Sequence, residues 1–178
     1  ANFQLLQQLS SGDDAAPETA PWDAVVIGGG PAGLTAACRL SFQGLKVALV
    51  EPKDSFGSPT GVSSKVLREV AMDHGTATSW HEVLSIRQLI AQNDAKRVAL
   101  QLQRYGVTHL KGTGEISGCD GDGITTVVVR DGTTTASELL ARKVVVSTGS
   151  KARRLKGIPF EQAGFYDSDS IGALRSKP

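Results

Sequence analysis

The sequence predicts an α/β fold: a parallel sheet begun by a strand–turn–helix–strand unit, with an inserted helical segment and a small antiparallel β-meander before the chain returns to the sheet. Three observations carry this. The short apolar run Ala24 to Ile27 ends in three glycines and is followed by apolar and small residues at helical spacing from Leu34 to Phe42. A second apolar run, Lys46 to Val50, ends on Glu51. Further on, β-branched runs alternate with Asp-Gly pairs, the composition of short strands joined by tight turns.

The elements follow in order. Residues 1–21 contain the small, acidic, proline-bearing stretch SSGDDAAPETAP and are expected to form a flexible lead-in, with the ordered domain starting near Trp22. Ala24 to Ile27 is the first strand, the helix starts near Pro31, and Gly44 is its C-terminal cap. After Glu51 comes the turn-rich segment PKDSFGSPTGVSS, then a short amphipathic helix from Lys65 to Met72. A longer helix is expected from His81 to about Tyr105, because Ala95, Val98, Leu102 and Tyr105 recur at three- and four-residue steps and Gly106 stops it. The region from Thr108 to Val146 is expected to be the meander, turning at Asp120-Gly121, Asp122-Gly123 and Asp131-Gly132. It ends in a buried strand, Lys143 to Ser147, and the turn Thr148-Gly149-Ser150.

A chain of 178 residues with 40% apolar content suits one domain, or one domain with an extension, better than two. Nineteen basic against eighteen acidic residues leave a net charge of +1 with no long run of one sign, which argues against a nucleic-acid partner. No apolar stretch approaches the roughly 20 residues of a membrane-spanning helix. Cys38 and Cys119 are far apart, so neither a zinc site nor a redox dithiol is expected. A reducing compartment, mitochondrial or cytoplasmic, is the expectation. The start at Ala1 without Met suggests processing or trimming. His74, His81 and His109 have no carboxylate or cysteine at ligand spacing, and no metal site is expected. Cys38 falls on the apolar face of the first helix and is expected in the core.

Gly28, Gly30 and Gly33 have the spacing G-x-G-x-x-G between a strand and a helix. The first permits a tight turn, the second lets the backbone approach a pyrophosphate, and the third lets helix and strand pack closely. Pro31 suits the first helical turn, and the helix beginning with Pro31 and Ala32 directs N–H groups and the positive end of its dipole at a phosphate. Glu51 lies 18 residues past Gly33, at the end of the second strand, where a carboxylate can accept hydrogen bonds from ribose hydroxyls.

This unit alone does not distinguish NAD from FAD. With GGGPAG, Glu51, Ser64-Lys65, the stretch from Gly106 to Gly114, Ser147-Thr148-Gly149-Ser150 and Tyr166-Asp167-Ser168-Asp169-Ser170, the chain from Trp22 onward resembles the Rossmann-like FAD-binding domain of the pyridine nucleotide-disulfide oxidoreductase family, and in particular its dihydrolipoamide dehydrogenase and soluble transhydrogenase branches. The resemblance implies that FAD places its pyrophosphate at Gly28 to Gly33 and its adenosine ribose at Glu51. It puts Gly114 near the adenine, packs Thr148 and Gly149 against the cofactor, includes Thr60 among the cofactor contacts, and sets Lys65 near flavin N5. Plain strand turns at Gly112, Gly114 and Ser147 to Ser150, and a solvated helix-end lysine at Lys65, are the alternatives.

It also implies NAD(P)H as co-substrate, a homodimer for the full-length protein, and separate NAD(P) and dimerisation domains that this chain lacks, so that the chain is a domain fragment over 22–178. One departure bears on chemistry. Family dihydrolipoamide dehydrogenases carry a C-x4-C dithiol shortly before the Ser-Lys pair, whereas Gly57 to Lys65 contains no cysteine and is shorter. A thiolate relay to a disulfide is thus unavailable, and transfer between nicotinamides is the simpler chemistry. A catalytically degenerate flavin-binding module is the other reading.

Overall fold

The computed structural model describes residues 20–52, 65, 68–69, 72, 79–167, 170 and 174. Among them the chain runs β1 (Ala24–Ile27), α1 (Pro31–Phe42), β2 (Val47–Glu51), α2 (Trp80–Tyr105), β3 (Thr108–Lys111), β4 (Thr113–Cys119), β5 (Thr125–Asp131), β6 (Thr134–Ala141) and β7 (Val144–Val146). Apart from Ala20 and Pro21, the lead-in lies outside the described residues, as does Thr60. Of the short helix, only Lys65, Arg68, Glu69 and Met72 are described, all helical and exposed.

Two sheets form: a four-stranded sheet in the order β3-β2-β1-β7, and a three-stranded sheet in the order β4-β5-β6. The pairs β1–β2, β1–β7 and β2–β3 are parallel, and both pairs of the smaller sheet are antiparallel. Side chains alternate across a strand, so β1 and β2 feed two cores. Ala24, Val26, Val47 and Leu49 pack with Ala37 of α1 and with Val98, Leu102 and Val107. Val25, Ile27, Ala48 and Val50 pack on the opposite face with Val127, Val129, Leu139 and Ala141 of the meander. Helices therefore cover one face of the parallel sheet and the meander covers the other, burying strands that read as continuous apolar runs.

Two expectations are corrected. Thr108–Lys111 is a parallel edge strand beside β2, and only β4 to β6 form the meander. Gly112 makes the switch between sheets: its φ is 150°, and a side chain there would lie 2.6 Å from Val129 and 2.7 Å from the Arg130 carbonyl. The strand expected from Lys143 to Ser147 covers Val144–Val146 and is only partly buried, with Val146 62% exposed, because β7 ends the described sheet.

The helix ends follow local chemistry. Gly44, at φ 86°, follows the α1 C-cap and donates to the Ser41 carbonyl at 2.9 Å. Ser79 caps α2 by accepting from the Glu82 N–H at 3.2 Å, and Gly106 closes it at φ 68°. Along α2, Val98 and Leu102 are buried and Tyr105 packs against the same cluster. Two hairpin turns use Gly123 at φ 79° and Gly132 at φ 62°. The Asp120 carboxylate braces the first, accepting from the N–H groups of Asp122 at 3.0 Å and Ile124 at 2.8 Å.

Candidate functional site

The C-terminal ends of β1, β2 and β7 lie side by side, since Ile27 pairs with both Val50 and Val146. β1 is followed in space by β2 on one side and by β7 on the other, so the chain reverses direction across the sheet here. In open α/β sheets the crevice at such a point is where ligands bind.

The β1–α1 turn occupies this edge. Gly28 has φ 108°, and its N–H donates to the Val50 carbonyl at 2.9 Å. A side chain there would lie 2.7 Å from the Ser147 carbonyl carbon and 2.9 Å from Thr148 Cα. A side chain on Gly33 would strike the Gly28 carbonyl oxygen and sit 2.5 Å from Ser147 Oγ. Gly30 differs: nothing lies within 4 Å of the position a Cβ would take. Two glycines of the motif are thus required by the protein's own packing, and the third faces open space. α1 begins with Pro31 after an extended Gly30 N-cap, and no side chain caps it. Pro31 and Ala32 are exposed and Gly33 is buried.

Glu51 closes the second side. Its Oε2 accepts a 2.7 Å hydrogen bond from the Gly29 N–H, so the acid at the end of β2 folds back over the glycine turn. Its carbonyl oxygen accepts from the Gly112 N–H at 3.3 Å and lies 3.2 Å from His109 Nε2. Gly114 lies over the end of β1, where a Cβ would fall 3.0 Å from Ile27 Cγ2. The segment leaving β7 forms the third side. Thr148 and Gly149 are exposed, and Gly149 takes φ 72° with nothing near its missing side chain.

Ser147 is a contributor that sequence reasoning passed over. Its hydroxyl lies 3.1 Å from the carbonyl oxygens of both Ile27 and Gly28, tying β7 to the glycine turn across about 120 residues of chain. The side chain's place in the S-T-G-S string was visible, but its partners were not. Further along, Asp167 and Ser170 exchange hydrogen bonds, Ser170 N–H to Asp167 Oδ1 at 2.7 Å and Asp167 N–H to Ser170 Oγ at 2.9 Å. Arg154 Nε donates to Asp167 Oδ2 at 3.1 Å.

The structure therefore brings Gly28, Gly30, Pro31, Ala32, Gly33, Glu51, Gly114, Thr148 and Gly149 to one edge of the sheets. Lys65 is exposed and helical, with no described contact to that edge. Cys38 is half-buried against the helix-side core and its thiol is pushed up by burial, while Cys119 is exposed on β4. Among the described residues no three His, Cys, Asp or Glu side chains cluster as metal ligands, and no helix is long and apolar enough to cross a membrane.

Residues 22–178 match the profile of the family described as pyridine nucleotide-disulphide oxidoreductase. The chain is 31% identical to dihydrolipoyl dehydrogenase 3 of Pseudomonas putida over 176 residues, covering 88% of this chain and 37% of that protein. It is 30% identical to the soluble pyridine nucleotide transhydrogenase of Sodalis glossinidius, with 88% and 36% covered. The HOCl-induced flavoprotein disulfide reductase RclA from Escherichia coli superposes with a TM-score of 0.72 at 20% identity, over 87% of this chain and 34% of that one. The chain thus spans about a third of the length of these relatives. On the profile match and these relatives, the chain belongs to the pyridine nucleotide-disulphide oxidoreductase family.

Proposed function

We propose that this chain forms the FAD-binding part of an oxidoreductase that accepts hydride from NAD(P)H. The observation that carries the reading is the convergence of the uncapped α1 N-terminus, the open space at Gly30 and the Glu51 carboxylate on one edge of the sheet. These residues fit a dinucleotide. The first turn of α1 offers N–H groups to a pyrophosphate, Gly30 leaves room for close approach, and Glu51 is an acceptor for ribose hydroxyls. Gly114 borders the adenosine end, and Thr148 and Gly149 wall the opposite side.

When bound, FAD supplies a flavin that takes up a hydride and hands it on. The chain's own residues bind and orient it, and Lys65 contributes positive charge that favours the reduced, anionic form. The stretch from Gly57 to Lys65 holds no cysteine, so no thiolate relays electrons to a disulfide from this segment. A nicotinamide acceptor, as the name of the Sodalis transhydrogenase relative describes, is the simpler partner for such a site. The whole protein is a homodimer in a reducing compartment on this reading.

The cysteine-free segment also supports a second reading, a flavin-binding module without turnover. Anaerobic titration of the flavin-loaded full-length protein with NADH and NADPH separates the two. Rapid bleaching of the flavin is expected of the enzyme; flavin that stays oxidised under both nucleotides would favour the binding module.

A further inference from the structure

We infer that His109 is a positioning residue for the adenosine end of the site, acting through the main chain of Glu51. This rests on the FAD-binding reading above. His109 lies on β3 opposite Leu49 of β2, two residues before the end of that strand. Register partners in a sheet project to the same face, so the imidazole lies on the helix-covered side with Leu49. From there Nε2 reaches the Glu51 carbonyl oxygen at 3.2 Å.

A carbonyl oxygen only accepts, so the contact requires a proton on His109 Nε2. The same oxygen accepts from the Gly112 N–H at 3.3 Å, a longer bond. The two donors occupy both lone pairs and hold the Glu51 carbonyl at the end of β2, where Glu51 makes its last register pair with Lys111. Anchoring that oxygen anchors the Glu51 main chain, and with it the Cα from which the side chain leaves. Its carboxylate is already engaged with Gly29 at 2.7 Å, so a small shift of the main chain at Glu51 would either break that bond or move the oxygens away from a ribose. Half-buried beside the strand end, His109 thus acts on the ligand through Glu51.

The test is calorimetric titration of FAD and of ADP, which carries the adenosine and pyrophosphate without the flavin, into the wild type, His109→Phe and His109→Gln, each also in a Glu51→Ala background. His109→Phe keeps the ring's bulk and loses the donor; its Kd for both ligands is expected to rise roughly fivefold, the factor of one ordinary hydrogen bond. His109→Gln keeps a donor and is expected within about twofold of wild type, on the same single-bond scale. In the Glu51→Ala background the two variants are expected to bind alike, because the coupling runs through the missing carboxylate. His109→Ala, which adds no bulk, is expected to show the same loss and serves if the phenylalanine variant does not fold. Unchanged affinity in His109→Phe, or an equal loss without Glu51, would overturn the inference while leaving FAD binding intact. A wild type that binds neither FAD nor ADP would overturn both.

Discussion

The Gly29 N–H donates a 2.7 Å hydrogen bond to Glu51 Oε2, so the acid that ends β2 and the glycine turn that follows β1 are held as one unit. Removing the carboxylate removes this brace together with the acceptor offered to a ribose. Glu51→Ala is expected to weaken FAD binding by about 2 to 4 kcal/mol, the scale of two hydrogen bonds to a charged group. Titration calorimetry checks it, and an unchanged affinity would make Glu51 a structural residue only.

Gly30 and Gly33 are expected to respond in opposite ways to the same substitution. Gly30→Ala places a methyl in open space, so the melting temperature should hold while FAD affinity falls. In Gly33→Ala the methyl meets the Gly28 carbonyl and the Ser147 hydroxyl. A loss of roughly 1 to 3 kcal/mol of stability is expected, the range for overpacking. Thermal melts of both proteins with and without FAD give the comparison.

Leu102 is 4% exposed and joins α2 to the helix-side core. Leu102→Ala is expected to cost about 2 to 5 kcal/mol through lost burial and the cavity left behind. Denaturant unfolding measures it.

Much of this architecture was legible because it rests on short-range patterns. The Val98–Leu102–Tyr105 stripe of α2, the Gly44 and Gly106 stops and the glycine turn all depend on neighbours within a few residues. β3 was not legible: four residues, Thr-His-Leu-Lys, pair equally well with a parallel or an antiparallel neighbour, and only the Gly112 turn assigns them to the first sheet. The clasp of Ser147 on Ile27 and Gly28, and the reach of His109 to Glu51, join residues 58 to 120 positions apart. No local spacing encodes such pairs.

The two thiols should differ in reactivity. Burial raises the pKa of Cys38, which leaves less thiolate near neutral pH, whereas Cys119 is exposed. Under limiting iodoacetamide, peptide mass mapping is expected to find Cys119 alkylated before Cys38. The reverse order would contradict the packing of α1 on the sheet.

Cysteine placement also sets an expectation for turnover. With no thiol between Gly57 and Lys65, the flavin-loaded full-length protein is expected to reduce under NADH without the long-wavelength band of a thiolate beside oxidised flavin. Lipoamide should be turned over negligibly and a nicotinamide analogue, quinone or dye accepted. Stopped-flow spectra followed by acceptor assays decide it, and fast lipoamide reduction would sink the transhydrogenase-like reading.

On the FAD-binding proposal, the edge formed by Gly28 to Gly33, Glu51, Gly114 and Thr148-Gly149 holds the ADP half of FAD. It is tested most directly by titrating this chain with FAD, ADP and FMN under identical conditions. The groups gathered at this edge suit the ADP half of the ligand, so FAD and ADP are expected to bind alike, with a Kd on the order of 10 μM, and FMN not measurably. FMN binding as well as FAD, or neither FAD nor ADP binding, would contradict it.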